Sequence, residues 1–134
     1  MTATETERNN IESIERGFKA FAAGDMVALS ELFEESVLWH SQPAGVLPGE
    51  YRGRDATFTM FGQLHEMTGG TFRSTPVAMA ASGHKVFVQT EATGERSGRS
   101  LRASQVLIFT LSGGRVSEVQ LFSGNHAAED AFWK

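Results

Sequence analysis

The stretch HKVFVQTEATGERSGRSLRASQVLIFTLSGGRVSEVQLF, residues 84–122, decides the fold. It reads as three strands, about 84–93, 100–111 and 115–122. They are joined by a loop from Gly94 to Gly98 and by Ser112-Gly113-Gly114. A fourth strand, about 71–81, precedes them across Ser82-Gly83. Such short Gly- and Ser-containing joints are hairpin chemistry, so the four strands form an antiparallel meander. Within it, Val106, Leu107, Ile108 and Phe109 are consecutive and apolar. A strand with that pattern is covered on both faces. Helices supply one cover, and a second subunit is expected to supply the other, giving a homodimer through the sheet.

N-terminal to the meander the period changes. Ile11, Ile14, Phe18 and Phe21 recur at spacings of three and four, which predicts a helix over about 6–23 after a frayed tail at 1–5. Gly24 stops it and Asp25 caps a second helix, about 26–34, with Met26, Leu29, Leu32 and Phe33 inward. Val37-Leu38-Trp39-His40 reads as a short strand. A loop from Ser41 to Gly53 follows, holding two of the three prolines, and a loop of that length is often functional. A third helix is expected at about 54–67, with Phe58, Phe61 and Leu64 on one side and Gly69-Gly70 after it. Helices first and strands after is an α+β order: three N-terminal helices packed on a curved antiparallel sheet around an apolar pocket. Residues 123–134 end in Ala131-Phe132-Trp133, read as a buried anchor.

The 134 residues suit one domain over 1–134, and 40% hydrophobic residues suffice for a core. A net charge of −4 argues against nucleic acid. Arg96, Arg99 and Arg102 come nearest to a basic cluster and read as a solvated hairpin face. Without cysteine there are no disulfides and no thiolate chemistry. Met1 to Asn10 lacks the features of a signal peptide, and no apolar run reaches the roughly 20 residues of a membrane span. A cytoplasmic location is expected. His65, His84 and His126 show no metal spacing, and the glycines of the meander are turn glycines, so neither a metal nor a nucleotide cofactor is expected.

Several segments together carry a resemblance. They are Phe18-Lys19-Ala20-Phe21-Ala22-Ala23-Gly24-Asp25, Leu32-Phe33, Val37-Leu38-Trp39-His40, Gly49-Glu50-Tyr51-Arg52-Gly53-Arg54-Asp55, Gly69-Gly70-Thr71-Phe72 and Gly114-Arg115-Val116-Ser117-Glu118. In order and spacing the chain resembles the SnoaL-like polyketide cyclases of the NTF2-like superfamily, which also holds the ketosteroid isomerases and limonene epoxide hydrolase. The resemblance spans about 10–133. It implies a cone-shaped fold, usually dimeric, with a cavity between the helices and the concave sheet.

The resemblance also points to positions. The general base of the steroid isomerases falls on His40. Their tyrosine falls on Gly17, with Phe18 or Phe21 as alternatives, and their buried aspartic acid on Val106, or on Gln105 if shifted by one. The proton-transferring aspartate of the SnoaL cyclases falls on Asn125, which cannot transfer a proton; His126 stands beside it.

From the residues themselves, His40 follows an apolar strand and opens the Pro/Gly-rich loop, which predicts a place at the cavity mouth where an imidazole can take a proton; the alternative is a histidine bonded to backbone that ties down the loop. Glu118 shares alternation with Val116, Gln120 and Phe122. It is either a carboxyl with a raised pKa or an interface residue. With Asn125, these complete the catalytic candidates. Gln89 and Gln105, on central strands, are candidates to hydrogen-bond a substrate carbonyl. Tyr51, the only tyrosine, lies in the loop expected to lid the pocket, and Arg73 is weighed as an anion binder against a plain surface arginine. Phe18, Phe21, Phe58, Phe61 and Phe122 are expected as apolar walls. Trp39 is kept with them, although it alternates with His40 and takes the opposite face.

The expected function is a cofactor-independent enzyme of isomerase or lyase type. It would cyclise, isomerise or dehydrate a hydrophobic polyketide-, terpenoid- or steroid-like substrate. The alternative is a non-catalytic binding or dimerisation module. An epoxide hydrolase needs an Asp–Arg–Asp set, and the interior strands offer no Asp.

Overall fold

The structure, a computed structural model, describes residues 3–134. Of the tail expected to fray at 1–5, residues 1 and 2 lie outside the described residues. Thr4 caps helix α1 (Glu5–Ala23) in a capping box: its hydroxyl accepts from Glu7 N at 3.1 Å and its own N–H donates to the Glu7 carboxylate at 2.8 Å. Glu7 also accepts from Gly83 N at 2.8 Å, which ties the start of α1 to a hairpin turn. Gly24 ends the helix in the left-handed region at φ 69°. Asp25 caps α2 (Met26–Leu32) through Ala28 N.

Helix α2 stops two residues earlier than its sequence suggests, because Phe33 already belongs to strand β1 (Phe33–Gln42). The Arg115 guanidinium donates to the carbonyls of Ser30, Glu31 and Phe33, and Arg54 donates to that of Ser30. Two cations thus satisfy the carbonyls left open where α2 ends. Met26, expected inward, is instead exposed. The loop after β1 contains a three-residue strand, β2 (Glu50–Arg52), which the sequence did not signal.

Helix α3 (Arg54–Met67) leads to the meander β3 (Arg73–Ser82), β4 (Lys85–Arg96), β5 (Arg99–Ser112) and β6 (Arg115–Ser123). A fourth helix, α4 (His126–Trp133), follows where only an anchor was expected. The six strands form one curved, unclosed sheet in the order β2-β1-β6-β5-β4-β3. All neighbours are antiparallel except β1 and β6, which run parallel.

One face of the sheet is packed and the other open. Val37 and Trp39 of β1, Val86 and Val88 of β4, Leu107 and Phe109 of β5, and Val116 and Val119 of β6 are buried beneath α1, α2 and α3. A smaller cluster of Ala92, Leu101, Ala103, Phe132 and Trp133 seats α4 on the same face. The aromatic anchor read from the sequence is therefore present as one side of a helix. Two of the arginines read as a solvated face have a structural role: Arg96 and Arg99 both donate to the carbonyls of Phe132 and Lys134 at the C-terminal end of α4. Arg102 pairs with Glu91 at 3.4 Å.

Gly124, between β6 and α4, is fixed by a close approach. Its N–H donates to Ser104 O at 2.8 Å, and a Cβ there would lie 2.5 Å from that same oxygen. Only glycine lets the chain pass so near β5. This passage sets where α4 crosses the sheet.

Candidate functional site

Two cavities lie on the packed face. The first, about 80 Å³, is enclosed by side chains of α1, α2, α3 and the sheet, including Ile14, Phe18, Phe21, Leu32, Phe61 and Phe109. Among its described lining residues only Ser74 and Gln105 carry polar side chains of amide or hydroxyl type. The second, about 110 Å³, lies under the loop from Ser41 to Pro48 and is lined also by Tyr51, Ser123, His126, Glu129 and Asp130. Trp39, Leu64, Phe72, Gln105 and Leu121 line both. The two chambers therefore adjoin and share those side chains as a partition. Gln105 is the one polar amide of that partition.

Gln105 points inward because it alternates in phase with Ala103 and Leu107, all on the buried face of β5. It is 7% exposed. Its Nε2 donates to Glu129 Oε1 at 2.5 Å. Ser123, at the end of β6, donates its hydroxyl to the other oxygen, Glu129 Oε2. Glu129 is 9% exposed and stands one turn into α4, whose N-cap is Asn125. Burial pushes the Glu129 carboxyl above its ordinary value, against the opposing pulls of the Gln105 hydrogen bond and the charge of His126. A buried carboxyl held in this way is a candidate to take up and release a proton.

Tyr51 lines the second chamber, and its hydroxyl is buried without a hydrogen-bond partner among the described residues. Burial pushes the phenol up, so it remains a neutral donor. Thr90, opposite Gln105 in the β4–β5 register, has the only other side-chain atom of that kind among the described residues.

The sequence-derived candidates divide by sheet face. Phe18, Phe21, Trp39 and Phe61 line the first chamber, and Gln105 lines both. Phe58 does not line either; it stacks on Phe61 at 5.7 Å and packs near Phe33. His40, expected at the cavity mouth, follows Trp39 in the strand and so points to the open face, where its Nε2 is 3.8 Å from Glu118 Oε2. Glu118 is there because β6 carries an irregularity opposite Thr110 and Leu111. Val116 and Val119 both turn inward, and Glu118, Gln120 and Phe122 turn outward. Gln89 also faces out, 3.4 Å from the Ser104 hydroxyl. Asn125 is an exposed cap whose side chain accepts from Ala128 N at 3.1 Å. Arg73 is exposed and donates to the carbonyls of Gly70 and Phe72.

Sequence reasoning missed Glu129 because it missed α4. The usable signal was Asn125 as a helix cap, with an acid one turn later and two aromatics at the far end. Among the described residues no three His, Asp or Glu side chains come together as a metal site, and no helix is long and apolar enough to cross a membrane.

Helices on a curved sheet around an apolar pocket with one buried acid make a fold of the NTF2-like kind. The profile of the SnoaL-like domain family matches residues 14–119, and the chain belongs to that family. It is similar to the solved structure of Bal32a from a soil-derived mobile gene cassette, at 33% identity and a TM-score of 0.94, covering 97% of this chain and 100% of that one. An uncharacterised protein of Mycobacterium tuberculosis is 26% identical over 96% of this chain and 98% of its own length. A protein of Jannaschia sp. CCS1 called a SnoaL-like polyketide cyclase shares the fold, with a TM-score of 0.84 at 20% identity over 99% of this chain and 97% of that one.

Proposed function

We propose that this chain is a cofactor-independent enzyme that moves a proton on a hydrophobic polyketide-, terpenoid- or steroid-like substrate, with Glu129 as the proton carrier. One observation carries the reading: a buried carboxyl, held by Gln105 and Ser123, lies where a polar group meets two adjoining chambers. The ionised carboxylate takes a proton from the carbon beside a substrate carbonyl. It returns that proton to another carbon, or to a departing hydroxyl that leaves as water. Nothing is oxidised, so isomerisation, cyclisation by carbon–carbon bond formation and dehydration all balance without a co-reactant. Gln105 Nε2 has a second N–H available for the carbonyl oxygen. The apolar walls exclude water from the charge that develops. The name of the Jannaschia protein agrees with this class of chemistry.

The test is enzyme-accelerated exchange of the α-protons of a bicyclic ketone, 2-tetralone, for deuterium in D₂O, followed by NMR. Glu129→Gln is expected to lower the rate by about 10²–10⁴-fold while the fold is kept. Wild-type exchange rates in the variant would sink the assignment.

A second reading, a non-catalytic ligand-binding module, draws on the first chamber, whose described lining is apolar except for Ser74 and Gln105. A ligand that binds tightly and exchanges no faster than in buffer selects it. We further propose a homodimer through the open sheet face, supported by exposed Phe87, Val106 and Phe122 there. His40 and Glu118 then belong to the interface. A monomer by sedimentation at micromolar concentration refutes the dimer.

A further inference from the structure

The second chamber has walls and a roof, and the two are held in different ways. Its floor includes Leu101, Gln105 and Leu121, fixed in the sheet by the β4–β5 and β5–β6 ladders. Helix α4 closes one side and is held at both ends, by Gly124 against Ser104 and by Arg96 and Arg99 on its last carbonyls. The roof is the loop: every residue from Ser41 to Pro48 lines the chamber.

The feet of this loop are firm. Gln42 stands opposite Phe122 in the β1–β6 register, and Glu50 stands opposite His40 in the β1–β2 register. Ser41 N–H donates to Gly49 O at 2.7 Å, and the Trp39 indole N–H donates to Ser41 Oγ at 3.0 Å. Between the feet the bonding stops. Among the described residues, no hydrogen bond ties any residue from Pro43 to Pro48 to another part of the chain. The two prolines have no N–H to give.

Two contacts hold the span down. Leu47 packs on the cluster of Ala92, Leu101, Phe132 and Trp133. Gly45 lies on α4, where a Cβ built on it would stand 2.8 Å from Asp130 Oδ1 and 3.4 Å from His126 Cε1. Val46, between them, is exposed. A span with ordered ends, no hydrogen bonds and one inserted apolar side chain opens at less cost than the ladders and the helix around it. Beneath it Trp39, Gln105, Glu129 and Trp133 are all buried. A molecule that reaches them displaces some part of the enclosure, and the roof is the part that gives most easily.

We propose that residues 43–48 form a lid that swings on its two feet, with Leu47 as the catch, and that its opening is the way into the second chamber. Under the proton-transfer reading the lid admits substrate to Glu129 and then shuts out water. The lid itself concerns access and rests on the loop, not on that chemistry.

The test follows exchange of the Trp39 indole N–H for deuterium by NMR, at one pH and temperature. That group sits at the foot of the loop and lines the chamber, so water is the only probe needed. Leu47→Ala is expected to speed the exchange by about fivefold or more, because it loosens the catch alone. Val119→Ala weakens the core away from the loop and is expected to leave the rate within about twofold of wild type. A lock gives the reverse effect. The chain has no cysteine, and the Cβ built on Gly45 lies 3.7 Å from Asp130 Cγ, the place a cysteine sulfur would take. Gly45→Cys with Asp130→Cys therefore sets up a disulfide across the lid, and the oxidised form is expected to exchange at least about tenfold more slowly than the same protein reduced. Equal rates in the two forms overturn the proposal, as does Leu47→Ala without effect. Val119→Ala speeding exchange as much as Leu47→Ala overturns it too, because water then enters by unfolding of the whole chain. Exchange in the wild type as fast as in N-acetyltryptophanamide means a chamber without a lid. If the lid passes and Glu129→Gln still exchanges 2-tetralone at the wild-type rate, the catalytic reading fails alone.

Discussion

The two faces of the sheet are built from alternate residues of the same strands, yet they differ in kind. On the packed face, Trp39, Gln105 and Leu121 line chambers beneath helices. One residue along, His40, Val106 and Phe122 stand on the face no helix covers; Val106 is 40% exposed and Phe122 36%. The difference shows that in a β-rich pocket the chemistry of a residue matters less than the parity of its position. A histidine is of no use to the cavity when it stands one step out of phase. A glutamine in phase becomes the polar centre.

The sharpest way to break this comparison is kinetic. His40→Ala is expected to leave 2-tetralone exchange within about twofold of wild type, while Glu129→Gln lowers it by about 10²–10⁴-fold. Equal losses from both would mean that the open face takes part in the chemistry. Next in size is Gly124→Ala. The added Cβ meets a backbone oxygen that cannot swing aside, and urea unfolding is expected to show a loss of about 1–3 kcal/mol.

Truncation on the two faces gives a smaller contrast. Val119→Ala removes methyl groups from a fully buried site and is expected to cost on the order of 1–3 kcal/mol in denaturant unfolding. Val106→Ala is expected to stay within about 0.5 kcal/mol for the monomer and to show itself as a weaker dimer in sedimentation.

The smallest effect is in pH. The carboxyl of Glu129 is raised in the folded state above its ordinary value of 4.5. Its contribution to stability is therefore fully present below that value and declines as pH rises through the folded value. Melting temperatures of wild type and Glu129→Gln, taken from about pH 4 to about pH 8, are expected to show the wild type losing ground as pH rises. The opposite slope would mean that the carboxylate, not the acid, is the form the fold favours.

Much of the fold was legible because long alternating or three-four-spaced segments announce themselves. Helix α1 and strands β4 to β6 fell within a few residues of their expected bounds. What escaped was short. Strand β2 has three residues and α4 has eight, too few for a period to stand out. The candidate site was legible in its lining alone, since Phe18, Phe21, Trp39, Phe61 and Gln105, which line the first chamber, were all named from the sequence. Its acid was not. The alternation of Trp39 with His40 was readable, but nothing in the strand says which side the helices will choose. In β6 the irregularity near Ser117 also resets the count, so Val116 and Glu118 part company although they are two residues apart. The match to the family profile does not repair this, because the matched segment, 14–119, ends before Ser123, Asn125 and Glu129.

The clamp on α4 has a consequence for how such a protein changes over generations. The strands and first three helices build the room, while eight residues, pinned at one end by Gly124 against Ser104 and at the other by Arg96 and Arg99, carry the acid into it. Rewriting that short helix changes the acid and one side of the second chamber and leaves the lining of the first as it is. Under the proposed function, a lineage could therefore trade the reaction, or lose it and keep a binder, by substitutions confined to one small piece of the chain.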